Sequence, residues 1–472
     1  MTENFEPTAA IATGRRTLAD SRRRVRLYVG QLMTGELVNK ILRFSALVLF
    51  ARGLSASDFG LVNVGIAISG IALVASSLGL PDLGARDVSV APERAGWLAG
   101  RVAVTRVLVL GSFVAIGLTV SSFVWPGHAP LLAMASLMAV CMAISGDWLA
   151  RGLEQMSLLA VATAVGGFIV LGGSVLAAML SFGATAALAV FAIAEGVVAA
   201  VLWWRLYPMT RVEFGVRGMG AMLRRARPLA LSSLAIYSYY ANLDTIILAA
   251  TRSSREAGLY SAPYRLFLVL NLVGIFAAYA MLPTLARFAA SDAEADASQL
   301  LQSALVSLAA YGLLTLGLVE LFGAEGLELL FGAPFRAAAG AFVLLAAGVA
   351  WYAVGYPVGY SLIARGENSR FLLGAASAGV LSLGLDLALI PPLGMSGAGL
   401  ATTVAFAAGA AIWISARGSF RGRLAILVAL GTTSGLAAIV VFADWSEAIA
   451  GLVTIGIAVA LLSIRWGRLA HV

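Results

Sequence analysis

Fourteen stretches of about 20 or more mostly apolar residues follow one another along this chain, separated by short polar breaks. They lie near 28–50, 58–80, 97–124, 129–150, 156–180, 184–204, 228–250, 257–285, 299–322, 337–363, 371–391, 396–416, 424–443 and 447–464. Each is long enough to cross a hydrocarbon core of about 30 Å as a helix, which satisfies its own backbone polar groups without water. The pattern predicts an all-α polytopic membrane protein with about 14 transmembrane helices. Composition agrees, since 60% of the 472 residues are hydrophobic and only 12% charged, where soluble domains hold roughly half and a quarter.

The same composition narrows the chemistry. Cys141 is the only cysteine, inside an apolar run, and the two histidines, His128 and His471, stand far apart. No disulfide framework or cysteine zinc site is available, so neither a metal nor a cofactor is expected. No Gly-rich loop ends in Lys-Ser/Thr, which leaves no nucleotide site. No loop is long enough to fold into a catalytic domain, so the chain reads as a non-enzyme without catalytic residues, and active transport would draw on ions or membrane potential.

Charge placement sets the expected topology. There are 32 Lys+Arg against 24 Asp+Glu, with Lys40 the sole lysine, and in a membrane protein such an excess marks cytoplasmic loops rather than nucleic-acid binding. Residues 1–27 are polar and Arg-rich without a secretory h-region, and read as a retained cytoplasmic segment. From that start, alternation places Arg86, Arg94, Arg101, Arg151, the cluster Arg205 to Arg227, Arg287, Arg365, Arg370, Arg417, Arg421, Arg423, Arg465 and Arg468 inside. Only Arg52, Arg252, Arg255 and Arg336 fall outside. An even number of spans and two cytoplasmic termini support each other.

Internal similarity then organises the spans. "GLSASDFGLVNV" (Gly53 to Val64) resembles "RSSREAGLYSAP" (Arg252 to Pro263), each with an acidic residue two before Gly-Leu. "ARGLEQMSLLAVA" (Ala150 to Ala162) matches "ARGENSRFLLGAA" (Ala364 to Ala376). Both pairs are six spans apart, an even number, so the copies share orientation about an axis along the membrane normal. The expected organisation is an N-terminal segment (1–27), a first six-helix bundle (28–207), a basic linker (208–227), a second six-helix bundle (228–416), and two appended helices with a short tail (417–472). Two facing bundles would enclose a central cleft. Gly166, Gly167, Gly172 and Gly173 read as sites of close helix packing or kinks.

A charge inside a span costs about 2.5–3.5 kcal/mol on the insertion scale and is a functional candidate by default. Apart from Arg101 and Glu320 at span ends, these are Glu36, Lys40, Arg43, Arg106, Asp147, Glu195, Asp244, Arg265 and Asp386. Asp244 and Arg265 lie at matched depths, roughly 10 and 13 Å from the turn that joins their helices, so an ion pair between them is expected. It would either only hold the helices together or orient Arg265 toward an anionic substrate. Glu36, Lys40 and Arg43 fall on one helix face, as a self-neutralising ladder or as a cleft wall with net positive charge. Arg106 is near enough to a span end to snorkel. Glu195 and Asp386 lack a partner nearby in the sequence and read as proton or sodium sites or as hydrogen-bonded neutral carboxyls. Asp147 is expected to pair with Arg151, four residues on, with Trp148 in an interfacial ring.

"LDTIILAA" followed by "AGLYSAPYRL" and "LPTLARF" (Leu282 to Phe288) resembles spans seven and eight of the polysaccharide-export and lipid-linked oligosaccharide flippases. Those belong to the multidrug/oligosaccharidyl-lipid/polysaccharide exporter (MOP) superfamily. "FGAPFRAAAGAFVLLA" (Phe331 to Ala346) and "LALIPPLGMSGAGLATTVAF" (Leu387 to Phe406) are similar too, with Asp386 where the family pattern has Asn. The resemblance implies alternating-access translocation of a polyprenyl-pyrophosphate-linked glycan across the inner membrane. It also implies membrane lipid as surroundings and polysaccharide polymerases or glycosyltransferases as candidate functional contacts. In related peptidoglycan-precursor flippases a basic residue in a "YADRL"-like context lines the cavity, and "APYRL" puts Arg265 there. Substrate contact is thus expected of Arg265, Arg43 and Lys40, with Asp244, Glu36, Glu195 and Asp386 supporting or coupling to ions. A cation-coupled multidrug exporter of the same superfamily is the alternative, and a glycan polymerase or ligase a more distant one.

Overall fold

The computed structural model describes residues 18–124, 127–227, 242–416, 424–443 and 446–469, and every regular element in them is a helix. Nine described helical segments are long and apolar enough to cross a membrane, with two shorter apolar helices at Ile426–Phe442 and Ile449–Val459. The protein is a multi-pass membrane protein. Most of the expected seventh span, 228–241, lies outside the described residues.

The first half opens with α1 (Leu18–Gly53) and α2 (Ala56–Ser77) and continues through α4 (Ala95–Val124), α5 (Ala129–Ile144), α7 (Met156–Leu180) and α8 (Ala184–Thr210). α1 lies along α7, α7 along α8, and α5 packs on both α2 and α8. Small residues allow that closeness, because lipid offers helices no hydrophobic reason to associate and van der Waals contact must suffice. A Cβ added at Gly166 would meet Val198 Cγ2 at 2.6 Å, and one at Gly173 would meet Val190 Cγ1 at 2.2 Å. Gly172, by contrast, faces open space.

Two short helices break the loops that apolar counting leaves. α3 (Leu80–Val90) starts with Pro81 in its first turn and buries Leu80, Leu83 and Val88. α6 (Asp147–Gly152) buries Trp148, whose ring occupies the space over Gly84, where an added Cβ would fall 2.6 Å from it. Trp148 is 2% exposed and belongs to the core between α3 and α6, not to an interfacial ring. A ninth helix, α9 (219–227), adds Met222 and Ala226 to the same core.

The second half comprises α10 (Leu243–Thr251), α11 (Ser254–Leu270), α12 (Leu272–Ala290), α13 (Glu294–Phe331), α14 (Ala339–Ala364) and α15 (Asn368–Ala416). The single span expected over 257–285 is divided at Asn271 into α11 and α12. α15 carries two expected spans bent at Gly394, whose φ of 58° and ψ of −134° suit glycine alone, just after Pro391 and Pro392. α14 is enclosed by α12, α13, α15 and the first C-terminal helix, α16 (Leu424–Phe442), while α17 (Glu447–Leu469) runs along α13.

The halves meet where α2 crosses α11. A Cβ on Gly60 would lie 1.9 Å from the Ser254 carbonyl oxygen, and a Cβ on Gly258 would lie 1.8 Å from that of Ala56. Positions 60 and 258, like 56 and 254, are 198 residues apart, so each contact repeats the other, as a twofold relation between copies requires. The helix starts repeat as well. Ser55 accepts from the Asp58 amide at 3.0 Å and Ser253 from the Glu256 amide at 3.1 Å, the same N-cap in both copies. The Ser57 and Ser254 hydroxyls touch across the seam at 2.5 Å.

Candidate functional site

The second half carries buried polar residues on both sides of α11. Asp244, in the first turn of α10, is 5% exposed. Its carboxylate accepts from the Tyr260 hydroxyl at 2.5 Å and from the Thr245 backbone N–H at 2.8 Å. The Tyr260 hydroxyl also engages the Thr402 side chain. On the first limb of α15, Asp386 is 4% exposed and accepts from Ser382 at 3.4 Å. Its other oxygen, Oδ1, has no hydrogen-bond partner among the described residues, and its charge interacts with that of Asp244. Asp244, Tyr260 and Thr402 thus join α10, α11 and the second limb of α15 in one group, with Asp386 on the first limb near enough for the two carboxyl charges to interact.

Arg265 faces the other way. Its Nη2 donates to Asn63 Oδ1 of α2 at 2.7 Å, while its Nε is buried without a partner among the described residues. Asn63 is held for this role by donating to the Phe59 carbonyl at 2.8 Å. The expected Asp244–Arg265 ion pair does not form: no carboxylate among the described residues comes within 4.0 Å of this guanidinium. Depth along the membrane was only half of the geometry. Tyr260 and Arg265 are five residues apart, about 140° around the helix, so the residue that reaches α10 and α15 cannot share a face with the one that reaches α2. A guanidinium has five N–H donors, and the Asn63 contact leaves donors for a further acceptor.

Two pairs of charges in the first half satisfy each other. Arg43 Nη2 pairs with Glu195 Oε1 at 2.8 Å, and its Nε donates to Asn39 Oδ1 at 2.9 Å. Glu195 thus has a partner, brought from α1 to α8 by tertiary packing that no local spacing announces. Asp147 and Arg151 pair at 2.8 Å, as their spacing suggests. Arg106 does not snorkel: it is 2% exposed, and its Nη2 reaches the Ser77 hydroxyl at 3.5 Å. A cavity of about 320 Å³ collects Ser77, Asp82, Arg106, Asp147, Arg151 and Glu195. Lys40 is exposed, and the Glu36 side chain lies outside the described residues.

Sequence reading missed Asn63, Tyr260, Ser382 and Thr402. Asn63 was legible in principle, being an amide in the apolar run of α2 that needs a partner as much as a charge does. The aromatic row was not. Tyr260, Tyr264, Phe267, Phe406, Tyr352, Tyr356 and Tyr360 follow one another with ring centroids 4.7–5.8 Å apart. The row runs from three rings of α11 through Phe406 of α15 to three rings of α14, and only packing joins those runs.

Known proteins share this arrangement of helices. The lipid II flippase MurJ, in an inward closed conformation, superposes with a TM-score of 0.68 at 12% identity, covering 93% of this chain and 99% of its own. An inward-facing multidrug resistance MATE family transporter of the MOP superfamily superposes with a TM-score of 0.62 at 17% identity, covering 84% and 96%. A MOP superfamily transporter from Pyrococcus furiosus, described as having a binding pocket of reverse polarity, gives a TM-score of 0.53 at 16% identity, covering 86% and 96%. The fold is the one these three proteins have. Among curated proteins no sequence matches. The family described as polysaccharide biosynthesis protein matches residues 28–289, more than half of the sequence, and the chain belongs to that family.

Proposed function

We propose that this protein flips a polyprenyl-pyrophosphate-linked oligosaccharide across the inner membrane for surface-polysaccharide assembly, by alternating access of the halves 28–207 and 228–416. The observation that carries the reading is Arg265, a cation at the seam between halves with spare donors and no carboxylate within ion-pair reach among the described residues. Leaving a buried charge unpaired is expensive, and a site that receives an anion recovers the cost when it is filled. A pyrophosphate suits a guanidinium because it accepts two parallel hydrogen bonds, which a lysine ammonium reproduces poorly. Membership of a polysaccharide biosynthesis family supports the same substrate class. Asp244 and Asp386, sharing a buried cluster with one carboxylate oxygen unused, supply the coupling site for a proton or sodium ion.

The second reading is a cation-coupled multidrug exporter. The aromatic row beside Asp244 favours it, since ring faces and a carboxylate attract organic cations. One experiment separates the two. Cells carrying Arg265→Lys should insert the protein normally, accumulate lipid-linked repeat units on the cytoplasmic side and lose surface glycan, with drug tolerance unchanged. Drug sensitivity with intact surface glycan would transfer the protein to the exporter reading.

A further inference from the structure

A second site is built where the chain leaves α8, away from the seam. Residues 211–216 lie against the first turns of α4, and glycines let the backbones touch. A Cβ on Gly96 would fall 2.1 Å from the Thr210 carbonyl oxygen, and one on Gly100 2.0 Å from that of Glu213. The Glu213 amide donates to the Gly96 carbonyl at 3.1 Å, and Arg101 Nη1 donates to the Glu213 carbonyl at 2.7 Å. The Arg101 guanidinium rests 4.7 Å from the centre of the Trp97 ring. The connection between the halves is therefore pinned to the first half.

Between this segment, α4 and α8 opens a hollow of about 840 Å³ walled by apolar side chains, among them Val104, Val107, Leu108, Trp204, Tyr207 and Phe214. Trp204 is 83% and Phe214 71% exposed, so nothing among the described residues covers this wall. Arg205, Arg211 and Arg217 follow its lining residues in sequence, are exposed, and form no ion pair among the described residues. Glu213, the one acidic residue of this stretch, lies 3.9 Å from Arg101. An apolar hollow whose lining residues have exposed arginines close by along the chain matches one ligand chemistry, hydrocarbon chains carrying an anionic head.

We infer that this hollow binds an anionic phospholipid, its chains against Val107, Trp204 and Phe214 and its headgroup phosphate against Arg205, Arg211 and Arg217. Basic pockets between membrane helices hold anionic headgroups in this way. The site shares no residue with the Arg265 and Asp386 clusters and stands whether or not the transport reading does. A lipid seated there would tie the linker to the first half and make the joint between the halves responsive to membrane charge.

Bromine on a lipid chain quenches indole fluorescence on contact, which gives a direct test with the full chain in phosphatidylcholine nanodiscs. Brominated phosphatidylglycerol at low mole fraction should quench more than brominated phosphatidylcholine, and Trp204→Phe should remove most of the difference. Replacing Arg205, Arg211 and Arg217 by Gln should weaken the preference about fivefold for each arginine removed. Val107→Asp, which puts a carboxylate on the wall without adding an indole and keeps the arginines, should abolish it while the protein still elutes as a folded species. Equal quenching by the two lipids, or a preference that survives either set of variants, would overturn the site. Displacement of phosphatidylglycerol by an equal mole fraction of polyprenyl phosphate would overturn the choice of phospholipid.

Discussion

The two copies of the repeated motif share a helix start and a glycine crossing and divide their chemistry. Counted by the shift of 198 residues that relates Gly60 to Gly258, the positions of Asp244, Tyr260 and Arg265 are held in the first copy by Ala46, Val62 and Ala67. Those three are buried, apolar and packed in a core. What the copies keep in common is the helix start and the glycine crossing, the parts that let two bundles close on each other. Where they differ, one copy has exchanged packing for ionisable groups, and such groups are tolerated in a membrane interior only when paired or used. The first half pairs Arg43 with Glu195 and Asp147 with Arg151, while in the second Arg265 Nε and Asp386 Oδ1 have no hydrogen-bond partner among the described residues.

The comparison breaks most completely if its shared part is removed. Gly60→Val or Gly258→Val places methyl groups where a backbone oxygen stands within 1.9 Å of the first added carbon, and a helix backbone cannot yield as a flexible side chain would. Closure along the α2–α11 seam should fail and transport fall to background. Cysteines at Ser57 and Ser254, whose hydroxyls touch, should cross-link readily in the parent and poorly in either valine variant. Valine variants that transport and cross-link like the parent would show that the glycine crossing is not the closed contact.

The next effect belongs to the second copy alone. Asp386→Asn and Asp244→Asn keep the volume of each side chain and remove its charge, so both proteins should insert and melt near the parent. Gradient-driven uptake into vesicles should fall at least about tenfold, the effect of a lost interaction worth about 1.4 kcal/mol. Uptake that keeps its gradient dependence in both amides would place the coupling elsewhere, and Glu195 would then be tested in the same way.

In the first half the expected loss concerns stability. Breaking a buried pair costs about 3–5 kcal/mol, and since Arg43 and Glu195 remain 24% and 13% exposed, solvent lowers the expectation to about 2 kcal/mol. Arg43→Gln and Glu195→Gln should each lower the melting temperature in detergent, and the double variant should recover part of the loss while still transporting. A double variant that is stable but inactive would move Arg43 into the substrate path, as its place on the polar face of α1 first suggested.

These cases show what the sequence could and could not disclose. The spans and the repeated motif were legible because each is written in local order, a run of about 20 apolar residues and an acidic residue two before Gly-Leu that recurs six spans on; the crossing of the two glycines was not. Which residues carry the site was partly legible, since charge in an apolar run is conspicuous. Their partners were not. Arg43 meets Glu195 over a separation of 152 positions and Arg265 meets Asn63 over 202, distances over which only the packed helices decide. Matched depth suggested the wrong partner for Asp244 because it ignored direction around the helix, and a neutral phenol, Tyr260, took the place assigned to Arg265.

The smallest effect tests whether every charge in the first half is scaffold. Asp147 and Arg151 stand at i and i+4 on α6, with side chains 35% and 43% exposed, and both line the 320 Å³ cavity that also holds Glu195. Pairs of this kind on a helix contribute about 0.3–0.5 kcal/mol, because water already solvates both groups and ordering two side chains costs entropy. Asp147→Asn and Arg151→Gln should therefore shift the melting temperature by a degree or two at most, and the shift should shrink further as salt is raised. Transport should be unchanged. If Arg151→Gln instead melts like the parent but transports several-fold more slowly, this cavity is part of the route. The division between a paired first half and a working second half would then have to be redrawn around it.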